Sequence, residues 1–390
     1  MPPHLAGRTN DKAEFKRLLD QDVVLENLIL TGLRGVGKTV LLETFKPMAI
    51  SEGWLWVGTD LSETVSVSED NLAIRLLTDL SVVTSGISQS VQDKKVGFTI
   101  GEESKINWNY AKLVKIYNET PGLVADKLKT VLEIVWSLVN QLGKKGIIFA
   151  YDEAQNLADN AEKDQYPLST LLDVFQSLQR KEFRMMLALT GLPTLLPKLV
   201  EARTYSERMF RVVFLDRLED SETKQAIKVP IEKNNCPVRF DENSISTICE
   251  VSGGYPYFIQ FICKEVYDRW VQQHAEAGQV TSIPVDEIVR KLDADFFSGR
   301  WARVTDRQRD VLKIVARMPN PEFTVQEIVT GSHHSSNRPF TNSRVSAILN
   351  SLMEAGLVYR NRHGKYRFAV PMFGQFILRH LDDDNEALLW

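Results

Sequence analysis

The chain has 390 residues, 43% of them hydrophobic and 25% charged, which is enough for two or three domains that each bury a core. No apolar run approaches the ~18 residues of a membrane span, and Met1-Pro2-Pro3-His4 lacks the basic-then-apolar order of a signal peptide. A cytoplasmic protein with no membrane partner is therefore expected. The net charge is only −4, and Cys236, Cys249 and Cys263 are too few and too widely spaced for a disulfide framework or a zinc site. They read as small buried apolar residues in a reducing compartment.

Leu25 to Thr31 reads as an apolar strand, and Val40-Leu41-Leu42-Glu43-Thr44-Phe45 reads as a helix. Between them Gly32-Leu33-Arg34-Gly35-Val36-Gly37-Lys38-Thr39 matches the phosphate-loop pattern G-x-x-x-x-G-K-[ST]. Glycines let successive backbone N–H groups curl around the α- and β-phosphates, and the dipole of the following helix favours negative charge. Lys38 then reaches the β- and γ-phosphates, Thr39 ligates Mg²⁺, and the backbone from Gly32 to Val40 forms the cradle. The expected ligands are a nucleoside triphosphate, ATP, and Mg²⁺.

A second strand, Gly53 to Gly58, precedes Asp60, and a third, Gly146 to Tyr151, ends in Asp152-Glu153. Ligands of parallel α/β sheets gather at the carboxyl ends of strands. Asp152 suits a hold on Mg²⁺ and Glu153 suits polarising an attacking water. Phe183 to Leu189 is a further strand ending at Thr190, where a γ-phosphate sensor would stand. Asn71–Leu80, Leu123–Leu142 and Leu168–Gln179 are predicted helices, so strands and helices alternate as in a parallel sheet covered on both faces. Residues 85–120 break this rhythm and read as an insertion around a strand-like Val96–Ile100, with Trp108 and Tyr110 as packing or contact residues. Arg203, Arg208 and Arg211 precede a last strand, Val212–Leu215. Phosphoryl transfer needs extra positive charge, and Arg208, then Arg211, are the candidates to act on a neighbouring subunit's nucleotide. The alternative for each is a surface ion pair with a nearby glutamate.

From Leu218 to Asp295 the alternation stops, and Ser221–Val229, Glu242–Cys249, Tyr257–Gln273 and Val285–Leu292 read as helices of a small lid. Beyond Gly299, helices are predicted at Asp306–Met318, at Thr324–Thr330 with a Thr324/Glu327 capping box, and at Thr341–Ala355. A hairpin follows, Leu357–Arg362 with Lys365–Val370. Three helices and a basic hairpin make a winged helix. From Arg300 to Leu381 there are 13 Lys and Arg against 5 Asp and Glu, a local excess of +8 that suits a polyanionic partner such as double-stranded DNA. Arg344 and Asn350 would face a major groove, while Arg360, Arg362, Lys365 and Arg367 meet phosphates. Winged helices also serve protein contacts, and that reading stays open.

The resulting fold class is α/β: a P-loop parallel sheet with helices on both faces (1–217), a helical lid (218–298), a winged helix (299–381) and an acidic tail (382–390). Together these residues resemble the AAA+ and STAND branches of P-loop ATPases, above all replication-initiator-like and archaeal-type ATPases with a C-terminal winged helix. Leu5-Ala6-Gly7-Arg8, with Asp11 nearby, is similar to the G-R-x-x-E/D box. The resemblance implies that Gly7 and Arg8 cover the adenine. Gly253-Gly254-Tyr255-Pro256 resembles the G-x-P motif of STAND lids, in which Pro256 would touch the base. No arginine aligns with the lid sensor of typical AAA+ proteins. Asp152 to Leu157 with Gly191-Leu192-Pro193 is also similar to transposition-regulator and secretion-associated AAA+ ATPases. The resemblance implies an ATPase that self-associates through its nucleotide site and engages DNA in replication, transposition or mobile-element control. The alternative is a STAND-like signalling or antiviral-defence ATPase whose winged helix contacts a protein effector encoded elsewhere.

Overall fold

The computed structural model describes residues 4–92, 103–234, 236, 240–275, 284–335 and 339–387. The chain divides into two compact units: Arg8–Thr31 with Lys38–Phe214, and the residues up to Gly7, Gly32–Gly37 and everything from Leu215 onward.

The first unit is built on a sheet of five strands in the order β2-β5-β6-β1-β7. These are β1 (Asn27–Gly32), β2 (Trp54–Val57), β5 (Gly146–Tyr151), β6 (Met185–Gly191) and β7 (Phe210–Leu215), while β3 (Ser88–Gln92) and β4 (Glu103–Asn107) form a separate antiparallel hairpin. Pairs β2–β5, β5–β6 and β6–β1 run parallel, with Trp54 opposite Gly146, Ile147 opposite Met185 and Leu28 opposite Ala188. Every residue of β1, β5 and β6 is buried. That is why these strands read as uninterrupted apolar runs, since a parallel sheet covered on both faces has no side to leave wet.

The helices of this unit are α1 (Thr9–Leu19), α2 (Lys38–Ser51), α3 (Glu69–Thr84), α4 (Tyr110–Glu119), α5 (Val124–Gln141), α6 (Pro167–Arg180), α7 (Leu195–Ala202) and α8 (Ser206–Met209). Phe15 of α1 stacks on Phe45 of α2 at 4.1 Å and meets Trp56 edge-on at 6.3 Å, which closes one face. Leu76, Val131, Leu172 and Phe175 close the other over Ile147, Phe149 and Leu187. Ser68 caps α3 by accepting the Asn71 N–H at 3.1 Å. Pro167 opens α6, where its missing N–H costs nothing.

One buried amide ties the sheet to its helices. Asn27, fully buried at the start of β1, accepts the Leu187 N–H at 2.7 Å and the Gln179 amide at 2.8 Å, and donates to the Met209 carbonyl at 3.1 Å.

Within 85–120 the expectation of an insertion is corrected in part. Trp108, Leu113 and Tyr117 lie in the main core, so Trp108 to Glu119 belongs to the body of the unit, while Tyr110 is exposed. Val96–Ile100 lies outside the described residues.

The second unit contains α9 (Asp220–Lys233), α10 (Glu242–Ser252), α11 (Pro256–Ala275), α12 (Val285–Leu292), α13 (Gly299–Ala302), α14 (Asp306–Ala316), α15 (Val325–Ser335), α16 (Asn342–Glu354), the hairpin β8 (Val358–Arg362) and β9 (Lys365–Phe368), and α17 (Phe373–Ala387). A π-helical turn, Asp293–Ser298, joins α12 to α13, so the sequence division at 298/299 falls inside one continuous helical run. Arg379 of α17 clasps Asp293 with two hydrogen bonds of 2.9 and 2.6 Å. Phe258 of α11 shares a core with Phe297, Trp301, Val311, Leu349 and Phe373, which welds the lid helices to the C-terminal ones.

The capping box predicted for α15 is present: the Glu327 N–H reaches Thr324 Oγ1 at 3.1 Å and Glu327 Oε2 accepts the Thr324 N–H at 2.7 Å. Phe323 makes an isolated antiparallel bridge to Tyr366 beside the hairpin. Helix α17 is not among the sequence-predicted elements, although Phe373, Phe376 and Ile377 have helical spacing and are buried. Asp382, Asp383, Asp384 and Glu386 of the expected acidic tail stand within this helix. The three cysteines are half-buried rather than buried, and burial pushes the Cys263 thiol up to about 12.

Candidate functional site

β5 and β6 are neighbours, so the acid that ends one lies beside the threonine of the other. Asp152 is 5% exposed and is the centre of the site. The Thr39 hydroxyl donates to its Oδ2, the Thr190 hydroxyl donates to its Oδ1, and the Glu153 N–H reaches Oδ1 at 2.8 Å. Its backbone is pinned as well, with the Leu61 N–H on its carbonyl at 2.9 Å and its own N–H on the Thr59 carbonyl at 3.2 Å. Three residues singled out from sequence therefore converge on one carboxylate. Hydroxyl and carboxylate oxygens are hard donors, and one or two of them are what Mg²⁺ takes from a protein while phosphates and water fill the rest. Thr39 and Asp152 fit that ion.

Glu153 is exposed and adopts a left-handed backbone, φ 51°. Its Oε2 accepts a hydrogen bond from the Gln155 side chain. Gln155 in turn accepts the Leu192 N–H at 3.1 Å, and its carbonyl accepts from the Lys198 ammonium at 2.6 Å. Burial lowers the pKa of Lys198, against the opposing charges of Asp159 and Glu201. A Cβ at Gly191 would stand 2.7 Å from Gln155 Oε1, so a side chain there would push the amide aside. Gln155 lies inside the Asp152–Leu157 motif, but sequence reasoning assigns it no role. Its part depends on the loop after β6, which no local pattern reveals.

Along the phosphate loop, Gly35 and Gly37 take φ of +81° and +92°, which a side chain would resist. Nothing lies within 4 Å of where a Cβ of Gly37 would be, leaving backbone exposed to an approaching group. Val36 and Lys38 are buried, Leu33 and Val40 half-buried, and Arg34 and Thr39 exposed. Lys38 and Thr39 open α2, whose N-terminal dipole favours an anion.

The remaining predicted residues separate. Arg8, also left-handed at φ 63°, lies 3.9 Å from Asp11 and heads α1. Gly7 belongs to the second unit, where a Cβ would meet Glu222 Oε1 at 2.7 Å. Pro256 is the first residue of α11 and half-buried. Arg203 is committed to Asp173 by hydrogen bonds of 2.9 and 2.7 Å, and Arg211 pairs with Glu14 at 3.0 Å. Arg208 is exposed and makes no ion pair with the described residues. Arg344, Asn350 and Arg360 are exposed as expected, and Arg360 lies 5.7 Å from the Tyr366 ring centre. Lys365 is half-buried. On the hairpin, Arg362 binds Glu322 at 2.7 Å and Arg367 is half-buried. Alternation along the hairpin, with a bulge between Arg360 and Arg362, turns these cations to different sides.

A family model described as "Domain of unknown function (DUF8462)" matches residues 294–377. No curated protein matches the chain. Among solved structures, the chain is similar to the Walker-type ATPase PABY2304 of Pyrococcus abyssi, with 15% identity over 96% of each chain and a TM-score of 0.61. It is also similar to the ORC2 protein of Aeropyrum pernix in its ADPNP–ADP complexes, with 14% identity over 100% of this chain and 96% of that one and a TM-score of 0.54. The ADP form of that protein gives 14% identity, 99% and 96% coverage and a TM-score of 0.54. With five strands in the order above and a phosphate loop leaving the fourth of them, the chain shares the α/β fold of these Walker-type ATPase and ORC2 structures.

Proposed function

We propose that this protein binds ATP with Mg²⁺ and hydrolyses it, using the state of the nucleotide as a switch. The observation that carries this reading is the convergence of the Thr39 and Thr190 hydroxyls on Asp152 at the carboxyl ends of adjacent strands. Lys38 at the start of α2 holds the β- and γ-phosphates, and the loop backbone cradles them. Thr39 and Asp152 hold the metal, which when bound offsets charge on the phosphate oxygens. Glu153 orients the attacking water and receives its proton, with the Gln155 amide fixing the carboxylate. Thr190 keeps Asp152 in place and reads the γ-phosphate. Arg208, exposed and unpaired among the described residues, supplies positive charge to a neighbouring subunit's nucleotide, which makes self-association part of the cycle. Gly7, Arg8 and Pro256 take the base. The ORC2 protein of Aeropyrum pernix forms complexes with ADPNP and ADP, which supports nucleotide binding here.

The test is a titration with a fluorescent ATP analogue, with and without Mg²⁺. The wild-type chain saturates and Lys38→Ala does not. A wild-type chain that takes up no analogue sinks the reading.

We further propose that α14, α15, α16 and the hairpin are a winged helix that engages duplex DNA through Arg344, Asn350 and Arg360, with Lys365 as a further phosphate contact. A second reading, in which this module contacts an effector protein, draws support from Arg362 being held by Glu322.

A further inference from the structure

The outer limb of the phosphate loop is gripped by residues far along the chain, all within the second unit. The Tyr257 N–H donates to the Gly35 carbonyl at 3.1 Å. A Cβ on Gly35 would stand 3.0 Å from Tyr257 Cβ, so the start of α11 packs closely against the loop. The grip takes a loop carbonyl, and so consumes none of the N–H donors a phosphate needs. From Tyr257 an aromatic relay continues: Tyr257 to Phe296 at 4.9 Å between ring centres, then Phe296 to the Arg300 guanidinium at 4.1 Å. Phe296 lies in the π-helical turn and also meets Phe258 and Phe297, the latter in the core that contains α14, α16 and α17. Beside this relay, the Arg34 guanidinium of the loop comes within 3.4 Å of the Cβ position at Gly356, the turn between α16 and β8.

We infer that Leu33-Arg34-Gly35 is the limb through which the C-terminal helices sense a loaded phosphate loop, with Arg34 and Arg300 a cationic pair that closes fully only when an anion is present. Arg300 is a positioning residue here, acting through Phe296 and Tyr257 on the loop. Arg34 is exposed and Arg300 half-buried, and like charges brought near one another repel. Burial pushes the Arg300 pKa down, and the Arg34 charge adds to that push. Triphosphate in the loop brings the counter-charge and lets the Tyr257 and Gly356 contacts tighten. Because the π-helical turn and the Arg379–Asp293 clasp make the lid helices and the C-terminal helices continuous, tightening at Tyr257 is passed to α16 and the hairpin. This rests on the ATP-binding reading above and adds its coupling.

The test is amide hydrogen exchange of the full chain, without nucleotide and with Mg²⁺ and a slowly hydrolysed ATP analogue, followed at 256–260 and 354–358. In the wild type the analogue slows exchange in both stretches by roughly threefold or more. Arg300→Gln, and separately the surface change Arg34→Gln, slow exchange already without nucleotide and shrink the response to it. Equal exchange in the wild type and both variants, in both states, overturns the inference. The nucleotide-free arm separates this from a failure of the ATP reading. If the wild type binds no analogue, slower exchange in the variants still supports the cationic pair, and unchanged exchange removes it.

Discussion

Thr39 and Asp152, 113 positions apart, share one hydrogen bond, from the threonine hydroxyl to the carboxylate Oδ2. The first residue ends the phosphate loop and the second ends the strand two places away in the sheet. The bond means that the geometry of this hydroxyl–carboxylate pair is set by strand order and not by the loop alone.

Hydrolysis should separate from binding at Glu153. Glu153→Gln is expected to bind the ATP analogue as the wild type does while kcat falls by about 100-fold or more, the usual scale for losing a proton acceptor. Gln155→Ala, which frees the Glu153 carboxylate from its amide partner, should lower kcat by on the order of tenfold with KM little changed. Steady-state phosphate release checks both. Wild-type turnover in Glu153→Gln would take that residue out of its role.

Asn27 predicts where the sheet is most easily broken. Changing it to alanine leaves the Leu187 N–H buried without an acceptor and removes the link to Gln179. A loss of about 2–3 kcal/mol is expected in urea unfolding, most of it from the orphaned donor. Gln179→Ala should cost less, because the Leu187 N–H keeps its bond.

The Asp173 carboxyl gives an acid-side signature. Burial pushes its pKa up, but hydrogen bonds from Arg203 and Tyr205 outweigh this and leave it below the ordinary value. A depressed folded pKa means the contribution is present above the unfolded value of about 3.9 and is lost as pH falls through the lower folded one. Wild-type Tm should therefore drop more steeply below about pH 4 than that of Asp173→Asn, which has no proton to gain. Parallel curves for the two proteins would contradict this assignment.

For the DNA reading, Arg344→Glu with Arg360→Glu in the full chain should abolish most duplex binding and reduce the log–log salt slope by about 2, near one unit per phosphate contact. Arg362→Gln should change little, since its guanidinium is already held by Glu322. Fluorescence anisotropy across a salt series reads both effects. Absence of salt-dependent binding in the wild type would favour the effector-protein reading.

The phosphate loop, its strand and its helix were legible from sequence because that chemistry lies in consecutive residues whose type sets backbone shape. The five strands of the sheet and most helices were legible too, since burial on both faces or on one stripe leaves a period of its own. Helix α17 was missed because its apolar residues follow a hairpin and run into Asp382-Asp383-Asp384, a charged stretch that suggests no structure by itself. Tertiary structure alone decided which acid accepts Thr39 and Thr190, that Gln155 holds Glu153, and that Arg362 is engaged within the chain. It alone brought Tyr257 onto Gly35. A residue's type limits the bonds it can make, but a partner far along the chain is chosen by strand order and helix packing, which are properties of the folded chain as a whole.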